Sequence, residues 1–134
     1  MNFNELHVGQ KASVTKTITE TDVILYAGVS LDVNPAHMDE SYASSTFFKR
    51  RIAHGMLSAG LISAVLGTKL PGEGTVYLSQ ELDFTAPVYF GDTITAKAEV
   101  TELIPEKKRV ILSTVCTNQD GREVIKGRAT VSHK

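Results

Sequence analysis

His54-Gly55-Met56-Leu57-Ser58-Ala59-Gly60-Leu61-Ile62-Ser63-Ala64-Val65-Leu66-Gly67-Thr68-Lys69 has no charged residue between Gly55 and Gly67. A helix written this way has apolar contacts on every side rather than along one stripe, so it belongs inside a protein. It is too short for a membrane span, which needs about 20 apolar residues. Its small residues, Gly55, Ser58, Ala59, Gly60, Ser63 and Ala64, allow neighbouring backbone to come close. One central helix has to be enclosed by something, and the chain beyond it is a series of long strand-like segments. The expectation is α+β: an antiparallel sheet curled around one long helix.

At 134 residues the chain reads as one domain, 1–134, long enough for a single core. The hydrophobic share of 42% and the charged share of 22% are those of an ordinary globular protein. With 14 Lys and Arg against 15 Asp and Glu, the net charge of -1 provides no general field for nucleic acid or an anionic membrane, so neither is expected as a partner. The opening residues MNFNELHVGQKASV lack a basic region followed by an apolar one, and the single cysteine, Cys116, cannot form an internal disulfide. A cytoplasmic location is the expectation.

Outward from the helix, Gly9 to Thr19 alternates approximately and predicts a strand. Thr19 followed by Glu20 and Asp22 predicts a capped helix start, and Pro35 predicts its end near Val29. Asp39 to Phe48 predicts a short helix. Beyond the central helix, Thr75–Phe84, Thr93–Leu103, Arg109–Asn118 and Arg122–Ser132 predict four strands, with Gln119-Asp120-Gly121 as a hairpin turn. In the first of them Val76, Leu78, Gln80, Leu82 and Phe84 are expected to share one face, and Cys116 is expected to point into the core as a small apolar residue.

The polar cluster Ser30-Leu31-Asp32-Val33-Asn34-Pro35-Ala36-His37-Met38-Asp39 carries the candidate chemistry. Pro35 makes a continuous helix untenable, so the segment is a turn in which a carboxylate, a carboxamide and an imidazole can converge. Residue types alone support two readings. Asp32 and His37 can form an acid/base pair, since an imidazole titrates near neutrality; or Asp32 and Asn34 can simply hydrogen-bond the turn backbone. Gly55, first in the central helix, likewise either offers its unpaired N–H to a carbonyl or serves only close packing. Lys49-Arg50-Arg51 is either a phosphate contact or a solvated loop.

The segment from Tyr26 to Asp39 resembles the hydratase motif of the MaoC-like, or R-specific enoyl-CoA hydratase, family: an aromatic, a small residue, then D-x-N-P-x-H-x-D, met by Asp32, Asn34, Pro35, His37 and Asp39. Ile52-Ala53-His54-Gly55-Met56-Leu57 resembles the family's second signature, and Phe84-Thr85-Ala86-Pro87-Val88 with Gly91-Asp92 its third. Leu31 departs from the pattern, since many members carry glycine there. The resemblance implies a hot-dog fold, a homodimer with the active site between subunits, and an acyl-CoA or acyl-carrier-protein thioester as substrate. It implies reversible (R)-specific hydration of a trans-2-enoyl-CoA by syn addition of water, with no cofactor. In that scheme Gly55 N–H binds the thioester carbonyl, Asp32 is the base toward water, His37 orients the water and delivers a proton to C2, and Asn34 holds the turn. Ser63, two turns beyond Gly55, is the serine expected to face the site, and His54 is expected to serve structure at the helix entrance. Leu66 and Val131 are the candidates for the closed end of the acyl pocket. No metal is expected, because the motif supplies no third ligand beside Asp32 and His37. On the same fold, a 3-hydroxyacyl-carrier-protein dehydratase, a thioesterase or a non-catalytic acyl-thioester binding subunit remain alternatives.

Overall fold

The computed structural model describes residues 1–134. After a short 3-10 turn at Phe3–Glu5, the elements are β1 (Lys11–Thr17), α1 (Glu20–Ser30), α2 (Pro35–Met38), α3 (Glu40–Ser44), α4 (Gly55–Thr68), β2 (Val76–Phe84), β3 (Thr93–Ile104), β4 (Arg109–Thr117) and β5 (Glu123–Ser132). The five strands make one sheet in the order β1-β3-β4-β5-β2, with every pairing antiparallel. α4 lies against β3, β1, β4 and β2, so the sheet wraps one side of the helix as a hot-dog fold requires. No helix is long and apolar enough to cross a membrane.

The central strands follow the expected alternation. Ile94, Ala96, Ala98 and Val100 of β3 and Val110, Leu112 and Cys116 of β4 are buried on the helix side, together with Ile125, Ala129 and Val131 of β5. They meet Ile62, Val65 and Leu66 of α4 in one core. Burial pushes the Cys116 thiol up to about 12, which keeps it a protonated apolar group. The core also includes Phe3 and Leu6 from the N-terminal turn, neither of which the sequence pattern places in an element.

Two expectations change. α4 is not enclosed all round: Met56, Gly60, Ser63 and Gly67 form an exposed stripe, because the sheet of one chain covers one flank of the helix while α1 shares only a groove with Leu57 and Leu61 on another. β2 does not keep one face inward over its whole length. Its register against β5 slips between Tyr77 and Ser79, leaving Leu78 unpaired, and Val76, Leu78 and Phe84 are exposed. A period-2 pattern carries meaning only while the register holds, and one extra residue reverses it.

α1 begins as its sequence dictates. The Thr19 hydroxyl accepts from Asp22 N–H at 3.1 Å and the Asp22 carboxylate accepts from Thr19 N–H at 2.9 Å, a reciprocal cap. The helix ends where Leu31 turns left-handed at φ 66°. That turn throws Asp32 away from the helix axis and toward the start of α4.

Candidate active site

From Leu31 onward each side chain of the motif has a local task. Asp32 Oδ1 accepts from Asn34 N–H at 3.2 Å, and Asn34 Oδ1 accepts from Ala36 N–H at 2.9 Å, capping α2, with Pro35 in its first turn. The turn-stabilising reading of these residues is therefore realised, and it coexists with convergence. Asp39 plays the same role for α3, accepting from Tyr42 N–H at 3.2 Å.

His37 stands on α2 with its ring held by one bond and its backbone by another. Nδ1 donates to the Ile52 carbonyl at 2.7 Å, and the His37 carbonyl accepts from Arg51 Nε at 2.7 Å. A carbonyl can only accept, so the Nδ1 proton is fixed and the neutral ring keeps its lone pair on Nε2. Burial lowers the pKa of His37 below the usual 6.5; the Ile52 carbonyl opposes this, His54 adds to it and Asp32 opposes it. The imidazole is thus poised as a neutral acceptor.

Asp32, His37 and His54 bring a carboxylate and imidazole nitrogens within 4.8 Å of one another. The third member is His54, the residue before α4, so the spacing argument against a metal does not survive folding. Two of the ring nitrogens are nonetheless engaged with carbonyl oxygens, His37 Nδ1 with Ile52 and His54 Nε2 with Asp32.

A cleft of about 300 Å³ opens beside His37, lined by Phe48, Ile52, Ala53, Gly55, Ser58, Phe84, Thr85, Ala86, Pro87, Val88, Val124 and Ile125. Both downstream signatures thus deliver their residues to one wall. Gly55 opens α4, where the first N–H groups have no acceptor within the helix. A Cβ at this position would fall 2.5 Å from Phe84 Cδ1, so the glycine also lets the Phe84 ring close on the helix. The two readings of Gly55 describe one arrangement.

Other expected residues lie elsewhere. Ser63 lines a second groove of about 430 Å³, with Met56, Ala59, Gly60, Tyr77, Leu78, Ser79, Gln80 and Leu82. Eight residues carry a helix about 80° past two full turns, enough to rotate Ser63 off the face of Gly55. The serine in the His37 cleft is Ser58, one turn from Gly55, fully buried and with no partner for its hydroxyl. Leu66 and Val131 line neither groove; both are core residues, 1% and 0% exposed. Of the three adjacent cations, Arg51 is paired with Glu20 and Arg50 covers the Tyr89 ring at 4.0 Å, leaving Lys49 exposed. The cleft walls Phe48, Val124 and Ile125 carry no sequence signal, since apolar residues there look like any others.

Residues 3–122 match the family described as MaoC like domain. The chain belongs to this family. Among MaoC-like relatives, it is 59% identical over 129 residues to an (R)-specific enoyl-CoA hydratase of Rhodospirillum rubrum, covering 96% of this chain and 89% of that one. It is 44% identical to an (R)-specific enoyl-CoA hydratase of Aeromonas caviae, covering 98% of each. Among solved MaoC-like structures, the unliganded R-hydratase PhaJ1 of Pseudomonas aeruginosa superposes with a TM-score of 0.93 at 51% identity, covering 98% of this chain and 84% of that one. The hot-dog architecture expected from the sequence is the architecture these relatives share.

Proposed function

We propose that this protein is an (R)-specific enoyl-CoA hydratase, adding water reversibly to a trans-2-enoyl thioester to give the (R)-3-hydroxyacyl product. The observation that carries the reading is the approach of the Asp32 carboxylate to the His37 imidazole beside a cleft that also contains the first turn of α4. With the thioester carbonyl on Gly55 N–H, the positive end of α4 stabilises the enolate oxygen as water adds. A water between Asp32 and His37 Nε2 donates one hydrogen to each. Its oxygen bonds to C3, its proton passes to Nε2, and the imidazolium returns that proton to C2 on the same face.

This division of labour differs from the one read in the sequence. A neutral imidazole with its Nδ1 proton on Ile52 has no proton for C2 until it takes one from the water. Asp32 then holds the second hydrogen and balances the imidazolium charge. The carboxylate and the imidazole remain jointly necessary.

A second copy of the chain is part of the proposal. Asp32 is exposed, and the apolar side chains beside it, Leu31 and Val33, are 82% and 66% exposed. A site that must exclude water while handling an enolate gains its missing wall from a partner. A cytoplasmic location is proposed with it, in keeping with a buried, unpaired Cys116.

The test is hydration of crotonyl-CoA, alongside longer enoyl-CoA and the corresponding carrier-protein thioester, with the product resolved by configuration. The (R) product, formed equally with and without a chelator, is expected. An (S) product, release of free thiol, or activity lost to a chelator and restored by zinc overturns the reading.

A further inference from the structure

We propose that His54 is a positioning residue for this chemistry: from the N-cap of α4 it holds the Asp32 carbonyl and backs the His37 ring, setting carboxylate, imidazole and Gly55 N–H in one frame. The inference rests on the hydratase reading above.

Asp32 lies between α1 and α2 in a stretch without regular structure. Its other hydrogen bonds are local, from its own N–H to Ser30 Oγ at 3.1 Å and from Asn34 N–H to its carboxylate at 3.2 Å. The bond from His54 Nε2–H to the Asp32 carbonyl, at 2.8 Å, is what joins it to anything beyond residues 30–34. Without that bond the turn keeps its shape but is free to swing about its two ends. With it, Asp32 is tied to the residue next to Gly55.

The same ring supports His37. The His37 and His54 centroids are 4.0 Å apart with planes inclined at 34°, and Tyr26 lies on His54 at 4.8 Å. His37 is therefore fixed in its plane by the Ile52 carbonyl and across its face by His54. His54 carries a proton on Nε2, because the Asp32 carbonyl can only accept, and its Nδ1 is buried without a partner.

That stranded nitrogen argues against a role as mere filler. His54 is 2% exposed, and an apolar side chain of similar size would occupy the space without leaving a polar atom unpaired. What the imidazole alone contributes is a donor at the far end of a rigid ring. Misplacing reacting groups by about 1 Å can cost on the order of 10²-fold in rate, so such a tether is worth keeping.

The test compares His54→Gln with His54→Met in the full-length chain, each checked for native mass and circular dichroism. The two side chains have similar length, and only glutamine can donate to the Asp32 carbonyl. His54→Met is expected to lower kcat for crotonyl-CoA hydration by about 10- to 100-fold, with KM held within about threefold. His54→Gln is expected to recover at least about tenfold of that loss. Equal kcat for the two variants, or a change confined to KM, overturns the proposal. If methionine does not fold there, His54→Gln against His54→Leu carries the same comparison, and equal kcat again overturns it. Asp32→Asn and His37→Gln are run beside them. Full activity in those two removes the Asp/His reading and this inference together, whereas their inactivation with His54→Met unimpaired removes this inference alone.

Discussion

Leu31 departs from the glycine common in the family, and in the fold it is the left-handed C-cap of α1, at φ 66°. A side chain in that conformation costs about 1 to 2 kcal/mol, and Leu31 is 82% exposed, so little packing offsets it. Leu31→Gly is expected to gain about 1 kcal/mol in urea unfolding by relieving that backbone strain. Asp32→Asn keeps size and an acceptor oxygen but removes the charge that balances the imidazolium. It is expected to lower kcat by about 10² to 10⁴ while the Kd of a dead-end thioester stays near that of the parent protein, measured by calorimetry. His37 sets the pH dependence. Its lowered pKa leaves it neutral at and somewhat below 6.5, so kcat/KM should be level through neutrality and fall only on the acid side of that value. Because the unfolded chain takes up this proton more readily than the folded one, stability should also decline as pH falls through the same range. The motif residues were legible because their turn is local; Ser58 and the apolar cleft walls were not, because they meet only after distant elements pack.

Among the elements, the strands were legible almost to the residue: Thr93–Leu103 against Thr93–Ile104, and Arg109–Asn118 against Arg109–Thr117. These are interior strands with one buried face, where alternation has to be regular. β2 lies at the edge, and there the pattern gave the strand but not its bulge. Leu66 shows the same limit on α4. A candidate for the closed end of the acyl pocket in the sequence, it is 1% exposed in the core, so Leu66→Ala should cost about 2 to 5 kcal/mol of stability before it alters any chain-length preference. The seam between β2 and β5 depends on Gly127. A Cβ there would come within 1.9 Å of the Glu81 carbonyl oxygen, a backbone atom that cannot move aside alone. Gly127→Ala is therefore expected to destabilise the fold by about 3 kcal/mol or more, read as a lowered midpoint in thermal unfolding. Interior β4 behaves in the opposite way: Cys116, its thiol pushed up to about 12 by burial, should resist thiol reagents until the chain unfolds.

For the whole molecule, the exposed stripe of α4 and the bulged edge of β2 face one groove, where Met56, Tyr77 and Leu78 are 53%, 39% and 45% exposed. An edge strand with free backbone groups beside an apolar groove is a template for a second chain. Two copies joined along β2 would continue the sheet and cover the open flank of α4, supplying the enclosure that its uncharged sequence implies. Sedimentation at micromolar concentration should therefore give twice the 14.5 kDa of one chain. Leu78→Lys tests the surface itself. Leu78 sits at the register slip and has no partner in β5, so a lysine there leaves the fold of one chain intact while placing a charge in the proposed seam. The variant should sediment as a monomer with native circular dichroism and lose most of its hydratase activity, since each site would lack its partner wall. A parent protein that is monomeric and fully active, or a monomeric Leu78→Lys with undiminished kcat, would show that one chain completes the site alone.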